Sequence, residues 1–312
     1  MLLRRIAYIS AALFNFGSLA AVPLIIGRPD SSLWLRNILF VRPVSLAGLE
    51  REIVQPPLLR RPVDHSALGS QVIRRVQAAC LNEASDCHPK ALAAYLASLE
   101  RFGGCGVYST RNELVDGVLA GGGCCSDIVK AYLVLAGRLE FSAREVHIPS
   151  HTSVEYWDKN QRRWVWIDPF IGYQAISEGQ FLSHLDVYKR FLSGLSVQFR
   201  LIESPLNLQI RPVFNYADYR PIAYQAVFYT QAESFGYVAI FSDFLAGVSL
   251  PKALHELVLY LTIKPSLLMT SSGFNFFIIM MARWVLWAWI FAWLSSSMLL
   301  AFMLFSTLKR RD

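Results

Sequence analysis

The sequence predicts an α+β fold in which a helix opening at Cys125 packs on an antiparallel sheet bearing His151 and Asp168, flanked by apolar ends that read as transmembrane helices. Three observations carry that prediction. Gly121-Gly122-Gly123-Cys124-Cys125 runs into a long apolar stretch, the pattern of a loop that turns into a buried helix. Residues 154–157 and 163–167 are rich in β-branched and aromatic side chains and flank the polar Asp158-Lys159-Asn160-Gln161, which reads as a β-hairpin. Residues 6–26 and 284–308 contain no charged side chain, and each is long enough to cross a hydrocarbon layer of ~30 Å.

Taken in order, residues 1–27 read as an N-terminal transmembrane helix or signal anchor behind Arg4-Arg5. Ser18-Leu19-Ala20 offers a signal-peptidase site, but the apolar run continues through Val22-Pro23-Leu24-Ile25-Ile26, which favours an uncleaved helix. Residues 28–75, with several prolines and arginines and no sustained periodicity, suggest a membrane-proximal connector. The thiol domain is expected over 76–192, with helices at 71–81 and 90–102 packing around the Cys125 helix and a short amphipathic helix at 181–192. Val197, Phe199 and Leu201 alternate with polar residues, as do Leu206, Leu208 and Ile210; with 223–229 and 237–241 they suggest a β-rich extension over 193–250. Residues 251–282 are apolar but broken at Lys264-Pro265 and Ser271-Ser272-Gly273, which suits a helix lying along a membrane surface. A final span over 283–308 carries Trp284, Trp287, Trp289 and Trp293 in its first half and ends at Lys309-Arg310-Arg311. The aromatic crowding and the basic flank are those of a bilayer-spanning helix, and basic residues at both ends place both termini in the cytoplasm.

Composition narrows the function. The net charge of +7 comes from scattered Lys and Arg, without a basic block interleaved with aromatics, so nucleic acid is not an expected partner. No P-loop or dinucleotide fingerprint occurs, and no cofactor is expected. Setting Cys125 aside leaves Cys80, Cys87, Cys105 and Cys124, an even number that suits disulfides in an exported domain, with three pairings open. His88 and His147 offer rival zinc ligands, but no Cys-x-x-Cys or His-Glu-x-x-His spacing supports a metal site.

The chemistry lies in Cys125, His151 and Asp168. A thiol at a helix N-terminus meets unpaired N–H groups and the positive end of the helix dipole, both of which favour the thiolate. A hairpin centred on residues 158–161 pairs positions whose numbers total about 319 or 320, which sets His151 against Asp168 at its open end. Singly, each residue has a plain structural use: a buried small side chain, a hydrogen-bonded core histidine, an Asp that starts a turn before Pro169.

In this order they resemble the transglutaminase-like superfamily, whose core has a papain-like Cys-His-Asp arrangement. The resemblance covers residues 90–172 and rests on three motifs: Gly-x-Cys at 123–125 opening a helix, His151-Thr152-Ser153-Val154-Glu155, and Trp164-Val165-Trp166-Ile167-Asp168-Pro169. Leu139-Glu140-Phe141-Ser142-Ala143-Arg144 matches the turn that ends the family's helix. The family spacing from nucleophile to that arginine selects Cys125 over Cys124, and Asp127 matches the acidic residue often found two positions on. The sequence departs from the family at Ser153, where a tryptophan is usual, and at Glu140-Phe141-Ser142. The resemblance implies a bacterial-type thiol enzyme that acts on amide bonds of peptide, protein or cell-envelope substrates by hydrolysis or acyl transfer, and the two apolar ends with their basic flanks set its domain on the periplasmic side of the inner membrane. The alternative is an inactive member that serves as a binding or scaffold protein of the envelope or polysaccharide machinery.

Overall fold

The computed structural model describes residues 9–18, 41–44, 66–81, 86–102, 104–106, 108, 111–148, 151–203, 205–210, 227–230, 267–270 and 273–308. The chain divides into two compact units. One comprises Met1–Phe40, Pro251–Leu261 and Ser272–Asp312. It holds α1 (Ile9–Ser18) and the 36-residue helix Gly273–Leu308, which is α7 in chain order. Within α7, Met280–Phe302 is long and apolar enough to cross a membrane. Among the described residues it is the one such helix. The parts of 1–27 outside 9–18 lie beyond the described residues.

The other unit, Val41–Leu250 with Thr262–Ser271, is α+β. Its helices are α2 (Ala67–Ala79), α3 (Cys87–Ser98), α4 (Arg111–Leu119), α5 (Cys125–Arg138) and α6 (His184–Leu192). Its strands are β1 (Val41–Val44), β2 (Ala143–Ile148), β3 (His151–Asp158), β4 (Arg163–Asp168), β5 (Tyr173–Ser177), β6 (Gln180–Phe181), β7 (Gln198–Leu201), β8 (Val227–Thr230) and β9 (Leu267–Thr270). They form one sheet in the order β1-β9-β8-β2-β3-β4-β5-β6, with β7 also on β5. Every pairing is antiparallel except β1 with β9.

Alternation along the central strands builds a core on each side of the sheet. Ala143, Val154, Tyr156, Val165 and Ile167 face α2 to α5, while Val146, Ile148, Trp164, Trp166 and Ala175 face Leu185, Val187, Tyr188 and Phe191 of α6. Helix α5 is buried almost all round, from Asp127 to Gly137, as its unbroken Ile-Val and Ala-Tyr-Leu-Val-Leu-Ala-Gly run requires. Helix α6 begins at a reciprocal cap: Ser183 Oγ accepts the Asp186 N–H at 3.1 Å, and Asp186 accepts the Ser183 N–H at 3.0 Å.

Several sequence expectations shift. The helices expected at 71–81 and 90–102 lie at Ala67–Ala79 and Cys87–Ser98, and α4 was not expected. Of the β-rich extension, β7 and β8 join the main sheet, whereas the described part of 206–210 is not strand: Leu206 and Ile210 pack on the helical core. The strand expected at 237–241 lies outside the described residues. Within 251–282, Leu267–Thr270 is a strand and the residues from Gly273 onward are the start of α7, so neither belongs to a separate surface helix. Val41–Val44, from the expected connector, is strand as well.

Candidate active site

The approach to Cys125 is fixed before the helix begins. Gly123 has φ +91°, and a Cβ there would lie 2.9 Å from the Cβ of Asp127, so the glycine is needed both for conformation and for room. Cys124 is the extended N-cap of α5 and Cys125 its first residue. Asp127 Oδ2 accepts the N–H of Cys124 at 3.1 Å and that of Gly106 at 2.8 Å, binding the 105–106 segment to the helix start. Disulfides join Cys80 to Cys87 and Cys105 to Cys124. That pairing holds Cys124 away from reaction and leaves Cys125 as the free thiol. The first intrahelical bond runs from Ile128 N–H to the Cys124 carbonyl, so the amides of Cys125 and Ser126 have no acceptor within the helix.

His151 opens β3 and Asp168 closes β4, at the sheet end that the start of α5 reaches. His151 Nε2 lies 2.5 Å from Asp168 Oδ2. The hairpin register differs from the expected one. Val154 faces Ile167 and Asp158 faces Arg163, so the turn is Lys159 to Arg162, with Asp158 Oδ1 accepting the N–H groups of Asn160 and Gln161. Continuing that register places His151 diagonal to Asp168 rather than opposite it. The two stay on one face, and an imidazole spans the diagonal. Asp168, wholly buried, uses its other oxygen to accept the N–H of Phe170 at 2.9 Å and of Ile171 at 3.3 Å. It both starts the turn at Pro169 and holds the histidine.

With Nε2 on Asp168, Nδ1 is the ring nitrogen left for Cys125, whose thiol is hydrogen-bonded to His151. Burial alone would push the Cys125 thiol up; the hydrogen bond and charge of His151, aided by the Thr152 N–H, outweigh it and bring the thiol below its usual range against the opposing charge of Asp168. Burial likewise disfavours the imidazolium, but the charge and hydrogen bond of Asp168, with Cys125, raise His151 to about 10. Both directions favour a thiolate–imidazolium pair.

Arg144 on β2 and Glu155 on β3 have a structural task instead. They are cross-strand partners, buried, with Arg144 Nε donating to Glu155 Oε2 at 2.6 Å and the guanidinium 4.0 Å from the Trp164 ring centroid. Glu155 Oε1 accepts the His184 N–H at 2.6 Å, capping α6. Ser153, where the sequence departs from the resembled pattern, accepts the Trp166 indole N–H at 2.8 Å inside the core. Sequence reasoning passed over Thr152, whose N–H reaches the Cys125 sulfur, and Phe170, whose ring centroid lies 5.8 Å from that of His151. Their positions beside His151 and just after Asp168-Pro169 were the available signals.

Among the described residues, Cys105, Cys124 and Asp127 bring donor atoms within 4.8 Å of one another. The two sulfurs are joined to each other and the carboxylate is taken by backbone N–H groups, so these residues do not form a metal site. Comparisons with protein-family models, with curated proteins and with solved structures found no match to this chain.

Proposed function

We propose that this chain is a membrane-anchored thiol enzyme with a papain-like, transglutaminase-like core that acts on amide bonds of peptide, protein or cell-envelope substrates on the outer side of the inner membrane. The observation that carries the reading is the hydrogen-bonded line from Cys125 through His151 to a buried Asp168, with the sulfur at the first residue of a helix. In the proposed reaction the Cys125 thiolate adds to the carbonyl carbon, and the oxyanion forms beside the first-turn amides that have no acceptor within the helix. Collapse breaks the C–N bond, and the proton on His151 Nδ1 passes to the leaving amine. The neutral imidazole then takes a proton from water or an acceptor amine as it attacks the thioester. Loss of the C–S bond restores the thiolate and the imidazolium. Asp168 stays ionised throughout and fixes Nδ1 toward the sulfur.

The test is activity-based labelling of the full chain with an acylating amide or ester probe, followed by peptide mass spectrometry. Acylation at Cys125, abolished in Cys125→Ala and in His151→Ala, is expected. A folded wild-type protein whose Cys125 never acylates would leave the inactive binding protein as the better account.

A further inference from the structure

A second polar chain reaches the residue next to Cys125. Ser126 Oγ lies 3.0 Å from Thr152 Oγ1, and Thr152 Oγ1 lies 2.8 Å from His147 Nδ1. His147 and Thr152 are register partners on β2 and β3, and Ser126 stands next to Cys125 in the first turn of α5. Thr152 is wholly buried. Valine would fill that inward strand position with the same shape and no hydroxyl to desolvate, so the threonine needs a reason that packing does not supply.

We propose that Thr152 and His147 are positioning residues for the Cys125 thiolate. The chain His147–Thr152–Ser126 fastens β2 and the start of β3 to the first turn of α5. It thereby holds the Thr152 N–H on the sulfur and keeps the adjacent His151 ring in line. The inference rests on Cys125 being the nucleophile proposed above.

Each link has one proton to share, and the chain closes in either direction. Ser126 can donate to Thr152 and Thr152 to an unprotonated Nδ1, or a protonated Nδ1 can donate to Thr152 and Thr152 to Ser126. The clamp therefore persists whether His147 is neutral or charged. Among the described residues, Glu145 Oε1 lies 3.8 Å from His147 Nδ1, while β8 places Val227 opposite His147 and Tyr229 opposite Glu145. Around Cys125 the titratable neighbours are His151 and Asp168, and Asp127 is held by the Gly106 and Cys124 amides.

Cys125 is the free thiol among the cysteines, so its alkylation by iodoacetamide can be followed against pH in the full chain in detergent micelles. Thr152→Val should raise the pH midpoint of alkylation by about half to one pH unit, the size expected for loosening one hydrogen bond to the thiolate. Thr152→Ser should restore most of the difference. His147→Asn, whose side-chain amide can stand where Nδ1 stands, should lie near wild type, and His147→Leu should behave as Thr152→Val. A lowered wild-type midpoint that Thr152→Val and His147→Leu leave in place overturns the inference alone. If Thr152→Val fails to fold, the His147→Asn and His147→Leu comparison decides by the same criterion. A wild-type midpoint at the ordinary thiol value of ~8.5 overturns the thiolate reading and this inference with it.

Discussion

Asp168 shows how much one carboxylate does here. Oδ1 holds the turn through two backbone N–H groups and Oδ2 holds His151 Nε2. Both oxygens accept, so Asn cannot serve both roles in either orientation. With its amide nitrogen toward His151, Nε2 must lose its proton, and an imidazolium cannot form without two donors meeting. With the nitrogen toward the turn, it opposes the Phe170 and Ile171 N–H groups. Asp168→Asn is therefore expected to keep the fold while disfavouring the ion pair. The pH dependence of Cys125 alkylation reads this directly. In wild type, reactivity rises with pH through the lowered thiol value and levels off below the ordinary thiol range. In Asp168→Asn the rise moves to higher pH, toward the ordinary thiol range. Turnover of an amide probe should also fall above about 10, where His151 loses the proton it must give to the leaving amine. The expected loss in acylation rate for Asp168→Asn is on the order of 10–10³, less than the ~10⁴ of a serine triad, because a thiolate needs less help from its base. Wild-type acylation in a folded Asp168→Asn protein would reduce the site to a Cys-His dyad.

At the scale of elements, the β3–β4 hairpin and α5 were legible because their signals are local: a polar turn between aromatic strands, and glycines before an apolar helix. Their meeting at one sheet end follows from those signals. The finer register was not legible, because the four-residue turn runs to Arg162, whose φ of +51° nothing in its side chain announces. Strands β1 and β9 were opaque for another reason. Each is four residues long, and they pair across more than two hundred residues of chain, where periodicity carries no information about a partner. Helix α4 buries only Leu114, Val115 and Val118 and contains Gly117, too thin a stripe to stand out. Arg144 and Glu155 were legible as motif residues, while their work was not: the pair is the strut between β2, β3 and the start of α6. Glu155→Gln would leave the Arg144 charge buried without its counter-ion. It should cost about 3–5 kcal/mol, read as a lower thermal midpoint in detergent. Adding Arg144→Met should recover part of that loss, since it removes the stranded charge. Additive losses in the double variant would mean that the two side chains do not work as a pair.

Across the whole molecule, separate features bear on where each part resides. Disulfides Cys80–Cys87 and Cys105–Cys124 suit an oxidising compartment. Met280–Phe302 is apolar enough to span a bilayer, and Lys309-Arg310-Arg311 follow it. In the same unit, Asn15 Nδ2 donates to Ser296 Oγ at 2.9 Å, and Ser297 Oγ donates to Asn15 Oδ1. Ser296 and Ser297 fall inside the candidate span; in a bilayer the α1–α7 contact would pair polar groups that hydrocarbon could not satisfy. Cleavage after Ala20 would take Asn15 away and leave both serines to bond only their own helix. Retention of the N-terminal helix is therefore expected, with both basic ends in the cytoplasm and the disulfide-bearing domain outside. Three measurements check this. The intact mass of the membrane-extracted protein should include residues 1–20. A fluorescent protein that folds only in the cytoplasm should be bright when fused after Asp312. Free-thiol counting under non-reducing conditions should give one reactive cysteine. A dark C-terminal fusion with an active exported reporter would invert the topology. A mature protein beginning at Ala21 would show that the Asn15–Ser296–Ser297 contact is not part of the working molecule.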